Sequence, residues 1–175
     1  MIKNLLVTGE PGAGKTTLVE ALIEPYRQLA GGIVTREIRT AGERKGFRLC
    51  SLDGRSQILA HVDFDRPHRV GKYGVDEEVM DLFAVPGLQS ALERSRLIVI
   101  DEIARMELVS PSFRRVALQA LSSDRVVLAT VHAQSDPFSD ILKDRSDVCL
   151  FKITQTSRES TQKILTQLLA DLLTP

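Results

Sequence analysis

The sequence is short of the residues that build disulfide frameworks and aromatic binding platforms. Among 175 residues there is no tryptophan, and aromatic residues make up 5% of the chain. The two cysteines, Cys50 and Cys149, lie far apart and have no CxxC spacing, which argues against a zinc site or a redox motif. We expect two buried thiols in a reducing compartment rather than a disulfide.

The chain also lacks an excess of charge and a long apolar run. Its 23 Lys and Arg residues balance 23 Asp and Glu residues, which argues against a broad electrostatic attraction to nucleic acid or to an anionic membrane. No segment approaches the length of a membrane span, and the first apolar run is too short for a signal peptide. We therefore expect a cytoplasmic monomer without membrane or nucleic-acid partners, folded as a single domain over residues 1–175.

The strongest pattern is a glycine-rich stretch between an apolar strand, Ile2–Val7, and a helix that begins near Lys15. It has the form G-x-x-x-x-G-K-[ST], which in a strand–loop–helix context is the phosphate-binding P-loop rather than an ordinary βα turn. Backbone N–H groups must wrap a polyphosphate, which requires glycines with positive φ and a helix N-terminus aimed at the phosphates. The predicted nucleotide-binding residues are Gly9, Glu10, Pro11, Gly12, Ala13, Gly14, Lys15, Thr16 and Thr17.

Three of these residues have predicted individual roles. Lys15 is expected to reach the β- and γ-phosphate oxygens, which makes it a catalytic residue. The Thr16 hydroxyl is expected to bind Mg²⁺, and Thr17 to contact the α-phosphate. The sequence therefore predicts a nucleoside triphosphate as the partner and Mg²⁺ as the cofactor.

A second pattern is the apolar run Leu97–Ile100 followed by Asp101 and Glu102. It predicts a buried parallel strand whose carboxylates lie at the C-terminal edge of the sheet, where ligands bind in open α/β folds. Asp101 suits the Mg²⁺ shell, usually through water, and Glu102 suits a general base that orients the attacking water. The alternative is a pair of charges at a helix N-terminus, but the P-loop upstream favours catalysis.

Alternating polar and apolar residues predict an antiparallel meander after the first helix. Its strands are expected over Ile33–Arg39, Phe47–Leu52 and Ser56–Val62, with a polar turn from Thr40 to Gly46 and a hairpin turn at Asp53-Gly54. The basic residues of the first hairpin are Arg36, Arg39, Arg44, Lys45 and Arg48. We favour a solvated hairpin face over a patch that meets phosphates or nucleic acid.

The remaining elements complete an α/β fold with a mostly parallel sheet and helices on both faces. Helices are expected over 15–29 with a kink or end at Pro25, over 77–83, from Pro86 to about Ser95, over 110–121, over 137–143, and after a capping box at Thr156–Glu159. Strands are expected over 125–131 and 147–153. The last helix should bury Ile164, Leu165, Leu168, Leu169 and Leu172.

Several polar residues are weaker candidates for the site. Thr130 and His132 end a predicted strand and could sense the γ-phosphate or hold the lytic water, although His132 is equally consistent with a satisfied loop histidine. His61 and His68 have no partner pattern and are expected to be structural or solvated.

Two arginines are candidates to neutralise charge in the transition state. Arg105 ranks first, as the third catalytic residue, because its distance from Glu102 is set by local chain geometry. Arg145 ranks second because only the fold could bring it to the site. The alternative for each is a surface ion pair, of Arg105 with Glu102 or Glu107 and of Arg145 with Asp144 or Asp147.

Five stretches together resemble the THEP-type small nucleoside-triphosphatases, also known as the cancer-related nucleoside-triphosphatase family. They are Gly9–Thr17, Thr35–Arg39, Lys45–Phe47, Val70–Asp76 and Ile100–Leu108. The last of these, which contains an Asp-Glu-Ile-x-[Lys/Arg]-Met-Glu-Leu block, is the most specific. The chain departs from the family at Ala104, where the family usually has Gly.

This resemblance implies a RecA-like P-loop fold and Mg²⁺-dependent hydrolysis of ATP, GTP, CTP and UTP with little base selectivity. Nucleoside diphosphates are expected to be poorer substrates. The residues fit weak base selection independently, since Asn4 is the only asparagine and no Asn-Lys-x-Asp element is present to read guanine.

Two other functions use the same motifs. A nucleotide or small-molecule kinase would need a second substrate pocket and a basic lid, for which Arg66, Arg69 and Lys72 are candidates. A non-catalytic switch or an RNA-binding module would use the basic hairpin, and the zero net charge and Glu102 count against it.

Overall fold

One sheet of nine strands organises the structure, a computed structural model that describes residues 2–174. In chain order its strands are β1 (Asn4–Gly9), β2 (Ala30–Thr40), β3 (Glu43–Ser51), β4 (Ser56–His61), β5 (Arg69–Val70), β6 (Tyr73–Val75), β7 (Leu97–Ile103), β8 (Val126–His132) and β9 (Val148–Lys152). Their order across the sheet is β5-β6-β4-β3-β2-β7-β8-β1-β9.

The helices lie between these strands. They are α1 (Lys15–Ile23), α2 (Glu77–Val79), α3 (Val85–Arg94), α4 (Pro111–Ser122), α5 (Pro137–Lys143) and α6 (Arg158–Leu173), with short 3₁₀ turns at Glu24–Tyr26 and Glu107–Val109. The predicted end of α1 before Pro25 is confirmed. Within residues 2–174, no helix has the length and apolar character needed to cross a membrane.

The parallel half of the sheet places the two sequence patterns one strand apart. The pairs β2–β7, β7–β8, β8–β1 and β1–β9 are all parallel, so the loops after β1, β7 and β8 leave from the same edge. Strand β8 separates the P-loop strand β1 from β7, which carries Asp101 and Glu102. This arrangement agrees with the RecA-like sheet expected from the resemblance. The ladder between β7 and β8 is irregular between Ile100 and Ile103, and the Asp101–Glu102 peptide bond is cis.

Both faces of the parallel half carry a hydrophobic core, as predicted. Leu18 of α1 and Leu165 of α6 belong to one core, whereas Leu88 of α3 and Phe113 of α4 belong to the other. Successive residues of a strand belong to opposite cores. In β1, Leu5 belongs to the core that contains Leu18 and Leu165, and Leu6 belongs to the other core. This two-sided burial explains why the central strands are continuous apolar runs.

The predicted antiparallel meander is confirmed, but its first turn is much shorter than expected. Strands β2 and β3 pair up to Thr40 and Glu43, so the turn consists of Ala41 and Gly42 alone. Both have positive φ, 49° and 80°, as a two-residue type I′ turn requires. The predicted polar turn over 40–46 was wrong because its flanking charged residues are strand residues that face solvent.

Two helix predictions were also wrong. The helices expected on either side of Pro86 form one continuous segment, in which α2 and α3 are joined by a π-helical stretch, Met80–Ala84. The Val85 N–H bonds to the Met80 carbonyl, and this wider turn lets the chain pass Pro86, which lacks an N–H and would clash in a regular helix.

The capping box at the start of α6 is absent: Ser157 is the N-cap, and its hydroxyl accepts instead from the Thr154 N–H.

The buried stripe of α6 is shifted from the predicted one. Leu165 and Leu169 are buried as expected, with Thr161 and Leu173 completing the stripe. Ile164 is 53% exposed, so its assignment to the core was wrong. The two cysteines are free and half-buried, which is less burial than the sequence suggested.

Candidate active site

The P-loop adopts the conformation that its glycines permit. Gly12 and Gly14 have φ of 83° and 89°, a region that residues with a Cβ rarely enter. Gly14 is also the N-cap of α1, so the helix begins at Lys15 with its free N–H groups facing the loop. The backbone therefore forms an anion cradle at the positive end of a helix.

Lys15 is held inside this cradle. Its Nζ donates to the Gly9 carbonyl at 2.9 Å, and it lies 3.5 Å from Oε1 of Glu102. The Lys15 side chain is only 10% exposed and that of Glu102 is 30% exposed. The structure thus brings together the lysine expected to bind the γ-phosphate and the carboxylate expected to orient the attacking water.

Asp101 lies at the bottom of the site and is almost fully buried. Its Oδ1 accepts from the Thr130 hydroxyl at 2.5 Å, while its Oδ2 is buried without a hydrogen-bond partner among residues 2–174. Burial raises the pKa of Asp101 to about 6, and the hydrogen bond from Thr130 opposes the rise. A buried carboxylate oxygen without a partner suggests that a ligand completes the site.

A second buried carboxyl, Glu107, lies in the wall of the same pocket. It is 2% exposed, and its Oε1 accepts from the Thr35 hydroxyl at 3.2 Å. Burial, and next the nearby Glu102, raise the pKa of Glu107 well above its usual value, which favours the neutral acid. In the sequence, Glu107 stands out only as part of the family block and as a possible partner for Arg105.

The C-terminal edge of β8 contributes His132, as the sequence allowed. This residue lines the pocket between the P-loop and Glu102, and its Nε2 is buried without a partner among residues 2–174. Burial lowers the pKa of His132, so the ring is neutral at pH 7. Thr130 is used differently, because its hydroxyl is engaged by Asp101 and does not line the pocket.

The structure separates the two arginine candidates. Arg105 is exposed and lines the pocket, and both of its expected ion-pair partners are engaged elsewhere, Glu102 with Lys15 and Glu107 with Thr35. Arg145 precedes β9, which runs parallel to β1, so it lies at the N-terminal edge of the sheet, opposite the P-loop. There it pairs with Asp147 at 2.8 Å, which excludes it from the site.

Most charges of the basic hairpin are paired, as the favoured interpretation expected. Arg36 pairs with Glu20, Arg39 with Glu37, and Lys45 with Glu43, all at 2.6 or 2.7 Å. Arg48 donates to the Ser56 hydroxyl, and Arg44 pairs with Glu37 at 2.6 Å. Only Arg36 and Arg44 of the five also line the pocket.

The basic residues considered as a kinase lid are held in their own loop. Arg66 pairs with Asp76 at 2.5 Å, Arg69 donates to the carbonyls of Phe64 and Lys72, and the Lys72 ammonium lies over the Tyr73 ring. Their side chains do not line the pocket, whereas Val70 in the same loop does.

The P-loop, Glu102, Glu107, His132 and Arg105 all line one pocket, which has a volume of about 680 Å³. It extends from the P-loop across the ends of β8 and β7 to the meander. The structure brings together Lys15, Thr16, Glu102 and Arg105 in its wall, with Asp101 beneath. Thr17 lines it too but is exposed, so the α-phosphate end of a nucleotide would lie near solvent.

Comparison with known proteins gives one consistent result. A family model described as NTPase matches residues 4–166. The nucleoside-triphosphatase THEP1 of Thermotoga petrophila is 43% identical over 159 residues, which cover 91% of this chain and 88% of the relative. The protein of the same name from Methanothermobacter thermautotrophicus is 39% identical over 95% of this chain and 96% of its own.

Two solved structures share the fold. The crystal structure of THEP1 from the hyperthermophile Aquifex aeolicus aligns with a TM-score of 0.88 at 32% identity, covering 95% of this chain and 98% of that one. The solution structure of a human cancer-related nucleoside triphosphatase aligns with a TM-score of 0.80 at 30% identity, covering 98% and 97%.

Proposed function

The chain belongs to the NTPase family of THEP1-type nucleoside-triphosphatases, and we propose that it hydrolyses ATP, GTP, CTP and UTP to the diphosphate and phosphate with Mg²⁺ as cofactor. The observation that carries this proposal is the contact between Lys15 and Glu102, 3.5 Å apart at the mouth of the P-loop. This contact supports the proposal because it puts a cation suited to the γ-phosphate next to a carboxylate suited to the attacking water.

The residues around Asp101 fit a magnesium ion. Mg²⁺ prefers carboxylate, hydroxyl and water oxygens, and the site offers the Thr16 hydroxyl together with Asp101 Oδ2, which is buried and has no partner within residues 2–174. We assign the metal to Thr16 and, through water, to Asp101. When bound, Mg²⁺ neutralises charge that develops on the β- and γ-phosphate oxygens.

The chain's own residues divide the remaining chemistry. The P-loop N–H groups and Lys15 hold the phosphates in place, which reduces the entropic cost of reaching the transition state. Glu102 accepts a proton from the attacking water or orients it. His132, with its unpartnered Nε2, suits a contact to the γ-phosphate or the water, and Arg105 supplies positive charge as the γ-phosphoryl group detaches.

Broad base specificity follows from where the nucleoside would lie. The α-phosphate is expected at Thr17, which is exposed, so the ribose and base extend towards solvent. Within residues 2–174, Phe47 is the only Phe, Tyr or Trp that lines the pocket, and it belongs to the meander strand β3. Little surface is therefore available to distinguish one base from another.

The test is phosphate release from ATP, GTP, CTP and UTP, each with Mg²⁺ and with EDTA, in the absence of any other substrate. We expect all four to be hydrolysed with kcat/KM values within about tenfold, because a site without base contacts discriminates weakly. We expect EDTA to abolish turnover. Hydrolysis of one triphosphate alone would contradict the proposed specificity, and full turnover in EDTA would contradict the proposed cofactor.

A further inference from the structure

The pocket extends past Glu102 to the meander. Its volume of about 680 Å³ covers the P-loop and this extension together. We call this extension the meander chamber. It is lined by Thr35, Arg44, Phe47, Val70, Met106 and Glu107.

The direction of the phosphate chain places this chamber beyond the γ-phosphate. A triphosphate bound to the P-loop runs from Thr17 at the α-phosphate to Lys15 at the β- and γ-phosphates. Glu102 lies next to Lys15, and the chamber begins behind Glu102. On the opposite side of the loop, Arg158 of α6 packs against Gly14 and does not line the pocket. The chamber therefore adjoins Glu102, the residue proposed to hold the attacking group. It also continues towards Thr17 along Glu20 and Arg36, which pair at 2.6 Å and line the same pocket.

The main cationic group of the chamber is Arg44, which is held by contacts with Phe47 and Glu37. Its guanidinium lies over the Phe47 ring, 5.6 Å from the centroid, and pairs with Glu37 at 2.6 Å. Its Nε is buried and has no hydrogen-bond partner among residues 2–174. A guanidinium plane fixed on one face can stack a planar ring on the other face.

The rest of the chamber combines apolar surface with little net charge. Val70 and Met106 provide apolar walls, and Glu107 is bonded to Thr35 in the floor. Because burial raises the pKa of Glu107, this carboxyl adds little negative charge. Glu102 at the boundary is negative, but Lys15 lies 3.5 Å from it, and Arg105 lines the same pocket. An anion can therefore approach the boundary.

We propose that the meander chamber binds a nucleoside 5′-monophosphate, which stacks its base on Arg44 and accepts the γ-phosphoryl group in competition with water. The transfer rests on the proposed function for its donor site. An oxygen of the monophosphate forms a bond to the γ-phosphorus, and the bond from that phosphorus to the bridging oxygen breaks. The electron pair leaves with the donor diphosphate. A triphosphate and a monophosphate dianion give two diphosphates, with no redox change and no proton to remove.

The first experiment measures binding without chemistry. Calorimetry titrates AMP, CMP, GMP and UMP into protein saturated with Mg²⁺ and a non-hydrolysable ATP analogue. At least one monophosphate should bind with one-to-one stoichiometry. Arg44→Gln should weaken that binding by about tenfold or more, because the stacking plane is lost. The matched control is Arg48→Gln on the same strand, since Arg48 is exposed and bonds only to Ser56.

The second experiment follows the phosphoryl group. With γ-labelled ATP, the bound monophosphate should become a labelled diphosphate while release of labelled phosphate falls. Hydrolysis without monophosphate is measured in the same preparation, so a failure of the proposed function is seen separately.

Three results would overturn the proposal. The first is that none of the four monophosphates binds the loaded protein. The second is that the ATP analogue abolishes their binding. The third is that Arg44→Gln lowers the affinity for the analogue as much as the affinity for the monophosphate. The last two results would mean that the donor nucleoside itself occupies the chamber.

Discussion

In the phosphate site, buried polar atoms lack partners, whereas on the outer meander most charged side chains pair with neighbours. Asp101 Oδ2 and His132 Nε2 are buried without hydrogen bonds within residues 2–174. On the meander, Arg39 pairs with Glu37 and Lys45 pairs with Glu43, and these side chains are about one-third to two-thirds exposed. The two regions belong to the same sheet and share strand β2.

We interpret the unpartnered atoms that lie at the ends of β7 and β8 as positions for a ligand. A buried polar atom without a partner costs about 1–3 kcal/mol, so a fold tolerates it mainly where a ligand will supply the missing bond. An exposed ion pair contributes about 0–1 kcal/mol and serves solubility and strand pairing. Substitutions should therefore change activity strongly in the first region and weakly in the second. Arg44 is the exception on the meander, because its Nε, like Asp101 Oδ2 and His132 Nε2, is buried without a hydrogen-bond partner among residues 2–174.

The largest effect is expected for Lys15→Ala. No other side chain of the loop can place a cation between the β- and γ-phosphates, so phosphate release should fall by about 10³-fold or more, with weaker nucleotide affinity. The matched control from the meander is Lys45→Ala, which removes an exposed, paired lysine and should leave turnover within about twofold. Wild-type turnover in Lys15→Ala would refute the assignment of the phosphate site.

Glu102→Gln should have the next largest effect. If Glu102 orients the water, turnover should fall by about 10²–10⁴-fold while calorimetry shows unchanged binding of Mg²⁺ and nucleotide. Asp101→Asn should instead raise the Mg²⁺ concentration needed for half-maximal turnover. Glu43→Gln, from an exposed pair, is the control. If Glu102→Gln lost binding but kept turnover per bound nucleotide, the roles of Asp101 and Glu102 would have to be exchanged.

Arg105→Ala should lower turnover by at least about tenfold with nearly unchanged affinity for a non-hydrolysable triphosphate, as expected for a contact made in the transition state. Steady-state hydrolysis and calorimetry measure the two quantities. Arg145→Ala is the matched control, since Arg145 lies at the opposite edge and pairs with Asp147. Equal turnover in Arg105→Ala and the wild type would remove Arg105 from the mechanism.

The smallest expected effect is on the pH dependence of stability, to which Glu107 contributes. Burial and the neighbouring Glu102 raise the pKa of Glu107 in the folded chain, so the folded state keeps a proton that the unfolded state releases above pH 4.5, the ordinary value. The free energy of unfolding should therefore fall as pH rises above that value, by at most about 1.4 kcal/mol per pH unit from this group.

Glu107→Gln keeps the shape and the bond from Thr35 but cannot ionise, so it should flatten this dependence. Urea unfolding at pH 5 and pH 8 measures it, with exposed Glu159→Gln as the control. The same loss of stability between the two pH values in wild type and Glu107→Gln would show that Glu107 is ionised in the fold.

The sequence predicted the positions of the P-loop and of the Asp101–Glu102 strand end in the fold, because local chemistry dictates both patterns. Positive φ at Gly12 and Gly14, and an acid after an apolar strand, leave few alternative structures. The short turn at Ala41-Gly42 was missed because exposed strands also carry charges. No local signal identified Glu107, which lies among apolar residues in a 3₁₀ turn. The location of Arg145 depends on the direction of β9, which only the tertiary fold determines.

The position of β1 also affects the order in which the chain can be assembled. Among residues 2–174 this strand pairs with β8 and β9, which are more than a hundred residues away in the sequence. A chain folded only as far as α4 would contain the whole P-loop but no neighbouring strand to hold it in place. Closing so long a loop is slow. The P-loop is therefore local in sequence, but its fixed position in the fold depends on one of the most distant strand pairings in the sheet.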